Sequence, residues 1–145
     1  MKLVLFFALF VFSLSYNGNQ AVNYALTYCR NYNSAYNRYP GADCANFVSQ
    51  CLIAGGESLS GCGGKDGWGA IPYVPNLTNC LKQRGWKSSS TRPSTFKAGY
   101  PIFMNAYQHA MLVTSVNSGS VSYAGHTNDR CGDVTLSSGI TYYYL

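Results

Sequence analysis

Along the 145-residue chain the hydrophobic period changes once, near Gly85, and that change limits the folds open to it. Before Gly85 the spacing is helical. Ala21, Tyr24, Ala25 and Tyr28 fall three and four apart between Asn19 and about Asn31, the stripe of an amphipathic helix. A second helix is predicted after Asp43, an N-cap residue type, with Phe47, Val48, Cys51 and Leu52 on one face and Gly55-Gly56 ending it. Asn76 to Arg84 supports a short third helix, with Leu77, Cys80 and Leu81 on one side. Tyr32–Ala42 and Gly55–Gly69 read as loops, the second ordered by a disulfide at Cys62 or by packing of Trp68. After Gly85, short segments rich in Val, Ile, Tyr and Phe alternate with Gly, Ser and Asn turns. They are Tyr100–Met104, His109–Val116, Val121–Thr127, Val134–Leu136 and Ile140–Leu145, and Asn117–Ser120 reads as a hairpin turn. Helices first and strands afterwards predict an α+β domain, N-terminal helices packed on a C-terminal antiparallel sheet. The length suits one such domain.

The first residues have the pattern of a removable leader. Lys2 gives a positive start, Leu3–Leu14 is almost wholly apolar, and Ser13 and Ser15 are small where a signal peptidase requires it. The apolar run is shorter than the roughly 20 residues that span a bilayer. A buried first helix or a membrane anchor is the competing reading. Residues 1–15 are therefore assigned as signal peptide and 16–145 as the functional domain. The expected product is secreted, or held in the lumen of a secretory or lysosomal compartment, without stable membrane insertion and as a monomer. The net charge is +5 with only 10% charged residues, and no Lys/Arg cluster interleaves with aromatics, so no nucleic-acid partner is expected.

Six cysteines, Cys29, Cys44, Cys51, Cys62, Cys80 and Cys131, all follow the leader. In an exported chain an even count invites full bridging. If Cys44 is instead a free nucleophile, at least one other must also be unpaired. Up to two bridges are then expected among Cys29, Cys51, Cys62, Cys80 and Cys131, with their connectivity open.

The stretch Asp43-Cys44-Ala45-Asn46-Phe47-Val48-Ser49-Gln50 puts Cys44 in the first turn of the second helix. Helix N-termini carry unpaired N–H groups and the positive end of the dipole, which favour thiolates and can hold an oxyanion. Only two histidines are present. His109 opens the apolar run Ala110–Val113, so it stands near the end of a core strand and can be aimed at a helix packed across the sheet. His126 begins His126-Thr127-Asn128-Asp129, where any of His126, Asn128 or Asp129 could orient such a base. A structural histidine and a bridged cysteine are the plain alternatives. The chain has no CxxC pair and no HExxH, so no metal and no cofactor are expected. It also lacks a GxSxG elbow and a credible carboxylate pair, which argues against serine and glycosidase chemistry.

Those segments resemble a known family. Ala21–Ala25, Asp43–Leu52 with Ala54-Gly55-Gly56, Lys97–Phe103, His109–Thr114 and His126–Asp129 are similar to the Putative amidase domain, among papain-like cell-wall hydrolases that include NlpC-like and CHAP domains. The resemblance spans nearly the whole chain after the leader, and the block around Cys44 is its most specific part. It implies a papain-like/NlpC-like fold and a cysteine amidase/peptidase acting on peptide or amide bonds, those of bacterial peptidoglycan above all. It implies Cys44 as nucleophile, His109 as base, and His126 or Asn128 as the third catalytic residue. The chain departs from the family pattern at Tyr100, where relatives usually carry an acid, and at Ala45, where Thr or Ser is usual. Two rivals remain: a papain-like acyltransferase, and a non-catalytic carbohydrate-binding protein with all six cysteines bridged.

Overall fold

The computed structural model describes residues 15–145, so all but the last residue of the expected leader lies outside the described residues. Three helices precede six strands. The helices are α1 (Gly18–Tyr28), α2 (Cys44–Ala54) and α3 (Val74–Gln83). The strands are β1 (Lys87–Ser89), β2 (Pro101–Met104), β3 (Ala110–Val116), β4 (Val121–Gly125), β5 (Arg130–Leu136) and β6 (Ile140–Tyr144). They form one antiparallel sheet in the order β1-β6-β2-β3-β4-β5. The α+β expectation, helices before an antiparallel sheet, holds.

Helix α1 follows its stripe: Ala21 and Ala25 are buried, and Asn17 caps the first turn by accepting from Gln20 N–H at 3.1 Å. Helix α2 differs from its expected one-sided pattern. Every residue from Cys44 to Leu52 is buried, so the helix runs through the core between α1 and β3. Two of its polar residues find partners inside: Gln50 accepts from Tyr24 O–H at 2.8 Å, and Ser49 Oγ accepts from Ile71 N–H at 3.0 Å. Helix α3 starts two residues earlier than the periodicity suggests, because Pro75 in its first turn needs no N–H partner there.

One backbone feature fixes how α1 meets the sheet. A Cβ on Gly99 would stand 2.3 Å from Gly18 Cα, and Gly99 has φ +90°, so only glycine allows this approach. Tyr100 is buried among Tyr16, Trp86 and Phe96 in edge-to-face and tilted contacts. The hairpin at Asn117–Ser120 joins β3 to β4 as expected, closed by Asn117 N–H to Ser120 O at 2.9 Å.

Disulfides join Cys29 to Cys131 and Cys62 to Cys80, while Cys44 and Cys51 are free and buried. Both bridges come from the expected set, and the alternative with all six cysteines bridged is not met. The Cys62–Cys80 bridge ties the glycine-rich loop to α3. Trp68 in the same loop is 56% exposed. Among the described residues no helix is long and apolar enough to cross a membrane.

Candidate active site

Cys44 is the first residue of α2. The first helical hydrogen bond runs from Phe47 N–H to Asp43 O at 2.9 Å, so the N–H groups of Cys44, Ala45 and Asn46 have no carbonyl one turn earlier to bond. The helix therefore offers its thiol and its unpaired donors at one point. His109 lies immediately before β3, held by Met104 N–H donating to its carbonyl at 3.0 Å, and it is half-buried. Burial pushes the imidazole below its ordinary proton affinity by disfavouring the charged ring.

The two residues line one cleft of about 400 Å³, together with Gly41, Ala42, Pro72, Tyr73, Val74, Tyr107, Gln108 and Thr127. That size suits a small ligand or a short peptide segment. Its lining has no Asp, Glu, Lys or Arg. Tyr73 and Tyr107 are 52% and 59% exposed, so each presents an open ring at the cleft, and Tyr107 stacks near His109 at 5.8 Å. Thr127 holds φ +85°, a conformation that costs a β-branched residue about 1–3 kcal/mol and recurs at functional sites.

His126 is placed differently from His109. It is 2% exposed, one residue beyond β4, with its ring between Phe47 at 4.0 Å and Tyr32 at 4.4 Å. Its Nδ1 bonds the Asp43 carboxylate, and its Nε2 lies 2.7 Å from the carbonyl oxygen of Tyr28. Both ring nitrogens are thus committed, neither to His109. Asn128 is exposed in the turn after β4 and makes no side-chain hydrogen bond among the described residues. Asp129 accepts from Tyr32 O–H at 3.3 Å. The structure brings Cys44 and His109 together at the cleft and places His126 instead against Asp43, Tyr28 and Phe47.

Asp43 departs from its expected capping role. It stands at the N-cap position, but its side chain caps no helical N–H. Its Oδ1 accepts instead from Tyr39 N–H at 2.8 Å and Asn46 Nδ2 at 3.0 Å, while Oδ2 faces His126. The acid beside the cysteine was the one hint in the sequence of this arrangement. Tyr73, Tyr107, Gln108 and Thr127 carry no motif that marks them, though three of them flank a histidine within two residues.

Among the described residues no group of three or more His, Cys, Asp or Glu side chains is arranged to hold a metal ion. Two other surface hollows, one lined by Tyr16 and Lys97 and one by Arg92 and Ser138, contain neither cysteine nor histidine. A search of curated proteins and one of solved structures returned no match. Residues 15–143, nearly all of the described chain, match the family described as Putative amidase domain. The chain belongs to that family, whose description marks it as a hydrolase of amide-containing substrates.

Proposed function

We propose that the protein is a secreted cysteine amidase/peptidase that cleaves amide or peptide bonds, those of bacterial peptidoglycan in particular, through an acyl-enzyme on Cys44. The observation that carries this reading is the unbridged Cys44 at the start of α2 sharing an uncharged cleft with His109. Two disulfides and the leader-like first residues support export.

The chemistry follows from these groups. Neutral His109, favoured by its burial, takes the Cys44 proton as sulfur attacks the substrate carbonyl. The backbone N–H of Cys44 and the N-terminal field of α2 stabilise the oxyanion. The imidazolium then protonates the departing amine, leaving a thioester. Water gives one proton to His109 as its oxygen attacks the thioester carbonyl; the C–S bond then breaks, releasing the acid, and His109 returns the proton to the Cys44 sulfur. Tyr73 and Tyr107 line the cleft that would receive the scissile bond, and its uncharged lining favours neutral groups there.

The test is release of fragments from purified diaminopimelate-type and lysine-type peptidoglycan by the exported chain, beside Cys44→Ala, with products identified by mass spectrometry. New amine termini released by the wild type alone are expected, and their masses name the bond. No release from either wall type would overturn the peptidoglycan assignment. Fragments whose acyl group reappears on an added amine would identify the acyltransferase instead.

A further inference from the structure

Hydrogen-bond accounting around His126 bears on where its protons sit. The Tyr28 carbonyl oxygen can only accept, so His126 Nε2, 2.7 Å away, carries a hydrogen. Asp43 Oδ1 already accepts two N–H bonds, from Tyr39 and Asn46, and accepted N–H bonds favour a carboxylate over the protonated acid. Against a carboxylate, the Nδ1 facing Oδ2 also donates. With both nitrogens protonated, His126 is an imidazolium paired with Asp43, and both side chains are almost wholly buried.

Asp43 immediately precedes Cys44, at the end of α2 where substrate charge would develop. An unpaired carboxylate there would take up the positive field of the helix N-terminus and repel negative charge on the Cys44 sulfur. Resting on the assignment of Cys44 as nucleophile, we infer that His126 is a positioning residue for the nucleophile rather than for the base. It neutralises Asp43 and locks it to Tyr28, so that the α2 terminus stays free for the thiolate and the oxyanion. The loop Tyr39–Asp43 and Asn46 keep their anchor on Asp43 at no electrostatic cost to Cys44. Among the described residues Asn46 Oδ1 is left buried without a partner, while Asn46 Nδ2 donates to Asn37 O and Asp43 Oδ1.

Other charged or titratable groups surround the pair. Arg38 lies 3.7 Å over the Tyr32 ring, Tyr32 bonds Asp129, Tyr39 O–H bonds Asp66 at 2.7 Å, and His109, Tyr107 and Tyr73 line the cleft. All are retained when His126 and Asp43 alone are changed.

The experiment follows the rate of iodoacetamide alkylation of Cys44 against pH in the full folded chain, with the labelled peptide identified by mass. Cys51 does not compete, since its full burial pushes its thiol well above the ordinary range. His126→Gln is expected to move the alkylation midpoint to more alkaline pH by about one unit or more. Asp43→Asn/His126→Gln, which removes the bare carboxylate, is expected to restore the wild-type midpoint. A merely structural role would lower the unfolding temperature of both variants without this shift and rescue. An unmoved midpoint in folded His126→Gln, or a double variant as alkaline as the single one, would overturn the inference. Where His126→Gln fails to fold, ¹⁵N NMR of wild-type His126 at pH 8 decides. Two protonated ring nitrogens support the pair, and one bare nitrogen refutes it. Alkylation and NMR need no substrate, so failure of the peptidoglycan assignment leaves this test intact.

Discussion

A base that is easier to keep neutral works further into the acid range. Burial lowers the proton affinity of His109, so its neutral form persists below the ordinary histidine value of about 6.5. The sign follows directly: the productive form is lost as pH falls through the lowered value. The acid limb of kcat/KM against pH is therefore expected to have its midpoint below 6.5, and His109→Gln should lower kcat/KM by about 10²–10⁴. At this scale the sequence marks Cys44 and His109 as candidates, because a cysteine opening a helix and a histidine opening a core strand are local patterns, and the two share one cleft. It could not tell where His126 points. Its ring reaches back to Asp43 and Tyr28, residues 83 and 98 positions away, and no local spacing reports that contact.

The elements owe their placement to contacts that cross from one half of the chain to the other. The Cys29–Cys131 bridge joins the end of α1 to β5, beside the Tyr28 carbonyl that holds His126. It spans 102 residues, against 18 for Cys62–Cys80. Chain-entropy arguments give about 4.7 kcal/mol for a loop near the first length and about 3 kcal/mol for one near the second. Urea unfolding of Cys29→Ser/Cys131→Ser is thus expected to show the larger loss, with Cys62→Ser/Cys80→Ser smaller by about 1.5 kcal/mol. Equal losses would mean that native contacts, not loop closure, set the effect. Helix periodicity was readable in α1 and α3, but the full burial of α2 was not. Asn46, Ser49 and Gln50 look like an exposed face until their buried partners are known.

For the molecule as a whole, the single change of period near Gly85 sufficed to predict helices stacked on an antiparallel sheet. Its edges were harder to read. Strand β1 is Lys87-Ser88-Ser89, polar and only three residues long, and it exists because Tyr142–Tyr144 of β6 offers it a ladder. Short, polar edge strands discourage pairing between molecules, and the same polarity hides them from hydrophobic patterns. Strand β5 was predicted only from Val134 because Gly132 and Asp133 interrupt its alternation, where the β4–β5 register shifts. What the fold achieves is to carry the start of a core helix and the start of a core strand to one cleft, and the central claim is that covalent chemistry happens there. The most direct measurement is intact and peptide mass analysis of the protein, acid-quenched during digestion of purified peptidoglycan. The account predicts a hydroxylamine-labile acyl adduct on the peptide containing Cys44, absent from Cys44→Ala. Turnover that persists in Cys44→Ala, with Cys44 unmodified in the wild type, would contradict it.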